Sequence, residues 1–286
     1  MLNHKIDFSV IITATNANPN GDPLNGNRPR ETFEGFGEIS DVCIKRKIRN
    51  RLQDMGEKIF VQSDDRCDDG CDSLSMRATA NETLKAISKG KKTDRNAFAQ
   101  AACAEWIDVR SFGQVFAFKA NSEGVSVGVR GPVSIQQAIS VSPVDVVSMQ
   151  ITKSVNGESG KEGKASDTMG MKHRVAFGMY VVHGSINCQL AEKTGFSAED
   201  AAKIKEALCT LFENDASSAR PEGSMEVCRV YWWEHDCKTP KHSSAKIHRA
   251  LHISLKDDIS VPHCFNNYNI TLDEIPGIKP EIIDLM

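Results

Sequence analysis

The first fifty residues constrain this chain most, because three kinds of sequence follow one another there without a break. Residues 7–15 read DFSVIITAT, a run rich in β-branched side chains that predicts a buried strand. It opens into NANPNGDPLNGNRPR (16–30), where Asn, Gly and Pro predict a loop of tight turns. Ser40 is then positioned as an N-cap with Asp41 in the first turn. Ile44, Ile48, Leu52 and Met55 follow at i, i+4, i+8 and i+11, and Gly56 supplies a stop. This spacing predicts a helix of about four turns.

Further along, residues 60–105 read as an insertion. It begins with the acidic stretch DDRCDDGCD (64–72) and includes the basic run KGKK (89–92). Strand-like sequence returns at Val109–Lys119, and a second strand pair is expected within 124–155. SVNGESGKEGKASDTMG (154–170) has too little apolar surface to pack and is expected to be a mobile loop. Val175–Ile186 reads as a strand. Ser197 and Asp200 match a capping box before Ala201, Ile204, Leu208, Leu211 and Phe212. Met225–Glu234 reads as a strand, and the chain from 256 on as irregular. Without the insertions the order is strand, helix, strand, strand, helix, strand. That is the split βαβ, ferredoxin-like pattern of an α+β fold, which many unrelated functions share.

Composition narrows the function classes. The chain has 286 residues, a net charge of -3 and 6% aromatic residues, so any nucleic-acid contact must come from local charge rather than from the total. Nine scattered cysteines fit reduced thiols better than a disulfide framework. No segment has the ~18 apolar residues of a membrane span, and the cytoplasm is the expected location.

Local positive charge is present. The helix carries Lys45, Arg46 and Arg49 on one flank of its apolar stripe, and Lys47 and Arg51 on the other. Like charges at i, i+4 cost roughly 0.2–0.5 kcal/mol per pair, a cost that a polyanion alongside would reverse. The same run also fits a solvated face paired with acidic residues elsewhere in the fold. In the Asn/Gly/Pro loop, turn amides beside Arg28 and Arg30 could form an anion nest, or the loop could be an ordinary connection. VGVRGPVSIQQA (127–138) places Arg130 next to Gly131, and MGMKHR (169–174) carries Lys172, His173 and Arg174. Together these elements suggest a groove that tracks phosphates.

The pieces NPNGDP (18–23), RPR (28–30), SDVCIKRKIRN (40–50), DVRSFGQVFAF (108–118), RGPVSIQQA (130–138), MGMKHRVAFGMY (169–180), TGFSAED (194–200) and LFENDASSARPEG (211–223) occur in this order. In them the chain resembles the backbone subunit of CRISPR Cascade complexes, in the type I-C form of the Cas-seven superfamily. The resemblance implies a modified ferredoxin-like (RRM-like) palm with a helical finger insertion and an extended thumb loop. The palm would begin at 1–59, the finger span 60–107, palm strands 108–149, the thumb 150–173, the rest of the palm 174–255 and a tail 256–286. It further implies a non-catalytic subunit that polymerises along CRISPR RNA, with the thumb kinking out a base at intervals and the other bases left to pair with target DNA. The implied partners are the guide, target DNA, further copies of the chain, and the Cas-five-type and large Cascade subunits, with no cofactor and no membrane. The candidate RNA contacts are Asn18, Asn20, Arg28, Arg30, Lys45, Arg46, Lys47, Arg49, Arg130, Gln136, Gly170, Met171, Lys172 and His173. A guide holder of this kind must grip phosphates and leave base edges open.

The alternative reading is a metal-dependent ribonuclease acting through Asp22 and Asp41. Two isolated aspartates beside cations lack the converging carboxylates of a two-metal site. His173 as a general base is a weaker variant of the same idea. Cys67 and Cys71 have no second ligand pair at zinc spacing, and 64–72 lacks the terminal Glu of a calcium loop. A purely structural oligomer without nucleic acid is the remaining alternative.

Overall fold

The computed structural model describes residues 1–88, 94–118, 125–152 and 169–286. Strand β1 (Ile6–Ala17) is buried over most of its length. Phe8, Val10, Ile12 and Ala14 enter one core, while Ile11 enters a second core on the opposite face, together with buried Asp7, Ser9 and Thr13. The loop after β1 is a small ribbon of β2 (Gly21–Asp22) and β3 (Arg28–Pro29), followed by β4 (Phe36–Ile39) and α1 (Asp41–Asp54).

A helical insertion comes next, made of α2 (Leu74–Ala80), α3 (Glu82–Ser88), α4 (Arg95–Glu105) and α5 (Ile107–Phe112). The hairpin of β5 (Gly113–Phe118) and β6 (Val125–Arg130) closes it. This part has its own core of Phe60, Leu84, Phe98, Trp106, Phe116 and Val127. Four further strands follow: β7 (Val133–Ile135), β8 (Ala138–Pro143), β9 (Val146–Thr152) and the long β10 (Met169–Ile186). Then come α6 (Cys188–Thr194), α7 (Ala198–Cys209), β11 (Met225–Glu234), α8 (Ser244–Arg249), β12 (Leu251–Leu255), β13 (Tyr268–Leu272) and β14 (Glu281–Asp284).

The main sheet has the order β14-β11-β1-β10-β8-β4, with β7 and β9 also on β10, and every pairing in it is antiparallel. α1 and α7 cover one face through Ile44, Ile48, Leu52, Ile204 and Leu208. Trp232 stacks on Phe8 in that core at 5.5 Å. A Cβ at Gly184 would overlap the Phe8 ring, so that position admits only glycine. The other face is covered by α8, β12 and β13 through Ile247, Leu251 and Tyr268.

Both predicted helix starts hold. Ser40 Oγ accepts from the Cys43 amide at 3.3 Å, and Gly56 follows α1 with φ of 87°. The Ser197/Asp200 capping box is complete, and Arg110 adds two bonds to Asp200 at 2.8 and 3.1 Å.

Other expectations change. The strand expected from Val109 begins only at Gly113, and residues 107–112 form a helix whose Ile107 and Val109 enter two different cores. The 124–155 region holds four strands, not two. The β5–β6 hairpin packs with the insertion, so that unit extends past 107. The region from 256 on carries β13 and β14 and is not irregular throughout. Gly170 to His173 belong to β10 and are not loop, since they pair in register with Ile151 to Ser148. The basic run 89–92 and most of the expected thumb, 153–168, lie outside the described residues.

Candidate nucleic-acid interface

β1 ends at the Asn/Gly/Pro loop, and that loop lies against the outer part of the β9–β10 hairpin. Arg28 Nη1 donates to Ser148 Oγ at 2.9 Å, and Ser148 Oγ shares a 2.8 Å hydrogen bond with His173 Nδ1. Ser148 and His173 are cross-strand partners, so they stand side by side on one face of the hairpin. Lys172 and Met171 are exposed on adjacent positions. Two segments more than a hundred residues apart thus meet at one junction, with Arg28 and His173 at its centre. Ser148 is the link, and nothing in the local pattern of 124–155 marks it.

The loop's asparagines build this junction. Asn18 is buried, and its Nδ2 donates to the Asn27 carbonyl at 2.6 Å. Asn20 Oδ1 accepts from both the Ser40 amide (2.9 Å) and the Ser40 hydroxyl (2.8 Å), which locks the α1 N-terminus to the loop. The turn itself passes through Gly26 and Asn27 at φ of 58° and 60°, a conformation that these two residue types tolerate. Arg30 pairs with Asp22 at 3.5 Å, and Arg28 with Glu31 at 3.6 Å. The Nε atoms of Arg30 and Arg174 and the Oδ1 of Asn18 are buried without a hydrogen-bond partner. Buried polar atoms are rarely left unpaired, so these three have room for a partner such as water.

The helix α1 differs from the expected cationic rail. Lys47 is buried in an ion pair with Asp215 and lies 5.2 Å above the Phe212 ring. Arg49 Nε donates to Asp108 at 2.9 Å, and the same carboxylate accepts from the Phe60 and Val61 amides. Arg46 donates to the Val61 carbonyl at 2.6 Å, and Arg51 to Thr210 at 2.8 Å. Lys45 pairs with Asp41 one turn back at 2.8 Å. Burial lowers the pKa of Lys47 from its ordinary value, partly offset by Asp215. The helix cations mainly stitch α1 to the insertion, to α7 and to the loop after α7. The partners of Arg46, Lys47 and Arg49 are remote in sequence and escape any i±4 inspection, whereas Asp41, the partner of Lys45, lies at i-4.

Arg130 and Gln136 are drawn away from the junction as well. β7, which follows Arg130, pairs with Gly184–Ile186, and the Gln136 amide donates to the His183 carbonyl at 2.9 Å. His183 is ten residues along β10 from His173, about 33 Å at the strand rise. The fourteen candidates therefore fall into three groups. Asn18, Asn20, Arg28 and Arg30 in the loop and Gly170, Met171, Lys172 and His173 in the hairpin lie on the two segments that meet through Arg28, Ser148 and His173. Lys45, Arg46, Lys47 and Arg49 line α1, and Arg130 and Gln136 lie at the far end of β10.

The aspartates of the nuclease alternative are engaged elsewhere. Asp22 Oδ1 accepts from the Leu24 amide and faces Arg30, while Asp41 holds Lys45. The Lys45 hydrogen bond lowers the Asp41 pKa. All nine cysteines are free thiols. Cys67 Sγ lies beside Arg77, which also binds Asp69 and the Phe60 and Cys71 carbonyls. No described helix is long and apolar enough to cross a membrane.

Fold and site together define an antiparallel α+β protein with a polar, partly cationic loop–hairpin junction at one end of its sheet. The family model for CRISPR-associated protein Cas7 matches residues 4–273, and the chain belongs to that family. It is 25% identical over 249 residues to a CRISPR-associated protein Cas7 of Haloferax volcanii, covering 80% of this chain and 69% of that protein. Among solved structures it resembles a chain of a CRISPR RNA-guided surveillance complex, pre-nicking, at 17% identity and a TM-score of 0.52. That match covers 90% of this chain and 82% of the other, and shows the shared fold.

Proposed function

We propose that this chain is a non-catalytic, cytoplasmic subunit that binds CRISPR RNA by its backbone. Copies of it line up along the guide to form the spine of a type I-C surveillance complex, where the guide's bases stay free to pair with target DNA. Membership of the Cas7 family supports this reading, as does the appearance of a similar fold in an RNA-guided surveillance complex. The strand order supports a ferredoxin-like palm, because β11-β1-β10-β8 with α1 and α7 on one face is the split βαβ arrangement. The insertion centred on α2–α4 is the finger, and the β9–β10 hairpin is the base of the thumb. The partners are the guide, target DNA, further copies, and the Cas-five-type and large subunits.

One observation carries the residue-level reading: the hydrogen-bonded link from Arg28 through Ser148 to His173, with Lys172 exposed beside it. It joins loop and hairpin into one polar surface that presents a guanidinium and an imidazole, while Lys172, the preceding residue of β10, carries an exposed ammonium on the other face of the hairpin. These groups suit phosphate and ribose. Of the α1 residues, Lys45 remains a candidate contact, since its pair with Asp41 is only partly buried. Lys47 and Arg49 hold the fold.

Purification from cells that express a CRISPR array tests this reading. A discrete small RNA should travel with the wild-type chain and be absent from an Arg28→Ala, Lys172→Ala variant that stays folded. RNA retained in that variant would move the site elsewhere. RNA shortened at metal addition, with sensitivity to Asp22→Ala, would restore the nuclease reading.

A further inference from the structure

A second cationic surface lies outside the junction. Residues 238–256, KTPKHSSAKIHRALHISLK, contain four Lys and one Arg with no Asp or Glu, in a chain whose net charge is -3. They form α8 and β12 on the face of the sheet opposite α1 and α7. Most α1 cations are paired within the chain. In contrast, among the described residues no carboxylate pairs with Lys241, Lys246, Arg249 or Lys256. Lys241, Lys246 and Arg249 are exposed.

A six-residue helix has little stability of its own, and this one is fixed by a buried polar network. Lys5 Nζ donates to Ser244 Oγ at 2.5 Å and faces Asp7 at 3.3 Å. Asp7 is fully buried and bonds His235 at 2.7 Å. His248 reaches the Gly184 carbonyl at 3.1 Å, and its ring stacks on His183 at 4.6 Å. Beside this network, a cleft of about 570 Å³ is lined by Gln136, His183, His248, Arg249 and His252. The fold thus holds a short basic helix rigidly, with Lys246 and Arg249 exposed in its last turn and paired with no carboxylate among the described residues.

We propose that this α8 surface takes the sugar-phosphate backbone of target-side DNA, not of the guide. The reading rests on the guide-binding role proposed above. The surface lies about 33 Å along β10 from the Arg28–His173 junction, and the core of α8, β12 and β13 covers Phe177 and Met179 between the two. One subunit can therefore hold two separate phosphate tracks.

A Lys241→Ala, Lys246→Ala, Arg249→Ala variant tests this, with Lys246→Glu alone as a milder second variant. The guide-loaded complex should keep its full RNA content while its affinity for a short labelled target duplex falls. The slope of log affinity against log salt should flatten by roughly 0.9 for each phosphate that the variant no longer neutralises. The purified chain without guide, titrated with the same duplex, should show the same weakening, so a failure of the guide reading stays distinguishable. Unchanged duplex binding and slope in both variants would overturn the proposal. So would loss of the guide RNA, which would make the surface part of the guide track, or loss of a co-purifying protein subunit, which would make it a protein interface.

Discussion

Arg49 and Lys45 lie one turn apart on α1 and do different work. Arg49 covers a carboxylate, Asp108, that is fully buried and accepts two further bonds from the Phe60 and Val61 amides, with Arg46 also near it. Removing the guanidinium leaves that charge without its ion-pair partner, so Arg49→Ala should cost on the order of 3–5 kcal/mol of stability in urea unfolding. Lys45→Ala breaks a partly exposed i, i+4 pair and should cost under about 0.5 kcal/mol. Equal costs for the two would contradict the division between structural and available cations. That division is not legible in the sequence. The apolar stripe of α1 is, but the carboxylates that neutralise its flanks come from Asp108 and Asp215, which only the folded chain brings near.

His183 offers a pH test at the same scale. Burial lowers its pKa to about 4 from 6.5, with the His248 ring adding to the shift. The native state therefore holds this imidazole neutral over a range where the unfolded chain is protonated. Its contribution is intact above pH 6.5 and declines as the pH falls toward about 4, by on the order of 3 kcal/mol across the window. His248 is shifted in the same direction and adds to the decline. A His183→Gln variant should flatten the dependence of unfolding free energy on pH in that interval. The same slope in variant and wild type would assign the effect to other groups.

Among the elements, α7 is the clearest case of local sequence dictating local structure. Its capping box satisfies two terminal groups within four residues, so it can be read before any tertiary contact is known. Ser197→Ala should cost about 1 kcal/mol. Asp200→Ala should cost clearly more, because Asp200 also binds Arg110 through two bonds, and thermal unfolding of the pair would show the difference. The strands are less even. β1 and β11 are apolar enough to be recognised, while β13 and β14 are short, partly polar and identifiable only through their pairing with β12 and β11. The helix at 107–112 escapes pattern reading because VRSF carries β-type residues whose fate is decided by two flanking cores. The N-terminal half of β10 looks like loop because Gly170, Met171 and Lys172 remain exposed; the hairpin stands clear of the core and is held by backbone pairing with β9.

At the scale of the molecule, the sheet separates positive charge into places with different uses. α1 pairs most of its cations within the chain and leaves Lys45 partly exposed, the loop–hairpin region presents Arg28, Lys172 and His173, and α8 presents a third group at the other end of β10. The strands β1 and β11 and the helices α1 and α7 are readable from pattern alone. The third group is present in the sequence as an acid-free stretch from 238 to 256, but a near-neutral total charge masks it. A near-neutral chain with segregated charge is suited to stacking against copies of itself while holding polyanions at fixed positions.

The junction's principal task, on this reading, is to grip a ribose-phosphate strand without reading its letters. Salt titration of binding to two single-stranded RNAs of unrelated sequence is the sharpest check. The two RNAs should bind with equal affinity and a common slope near -0.7 per phosphate contacted, and the slope should be shallower for both in the Arg28→Ala, Lys172→Ala variant. Affinities that differ between the two sequences, or a slope left intact by the variant, would contradict a sequence-blind grip at this site.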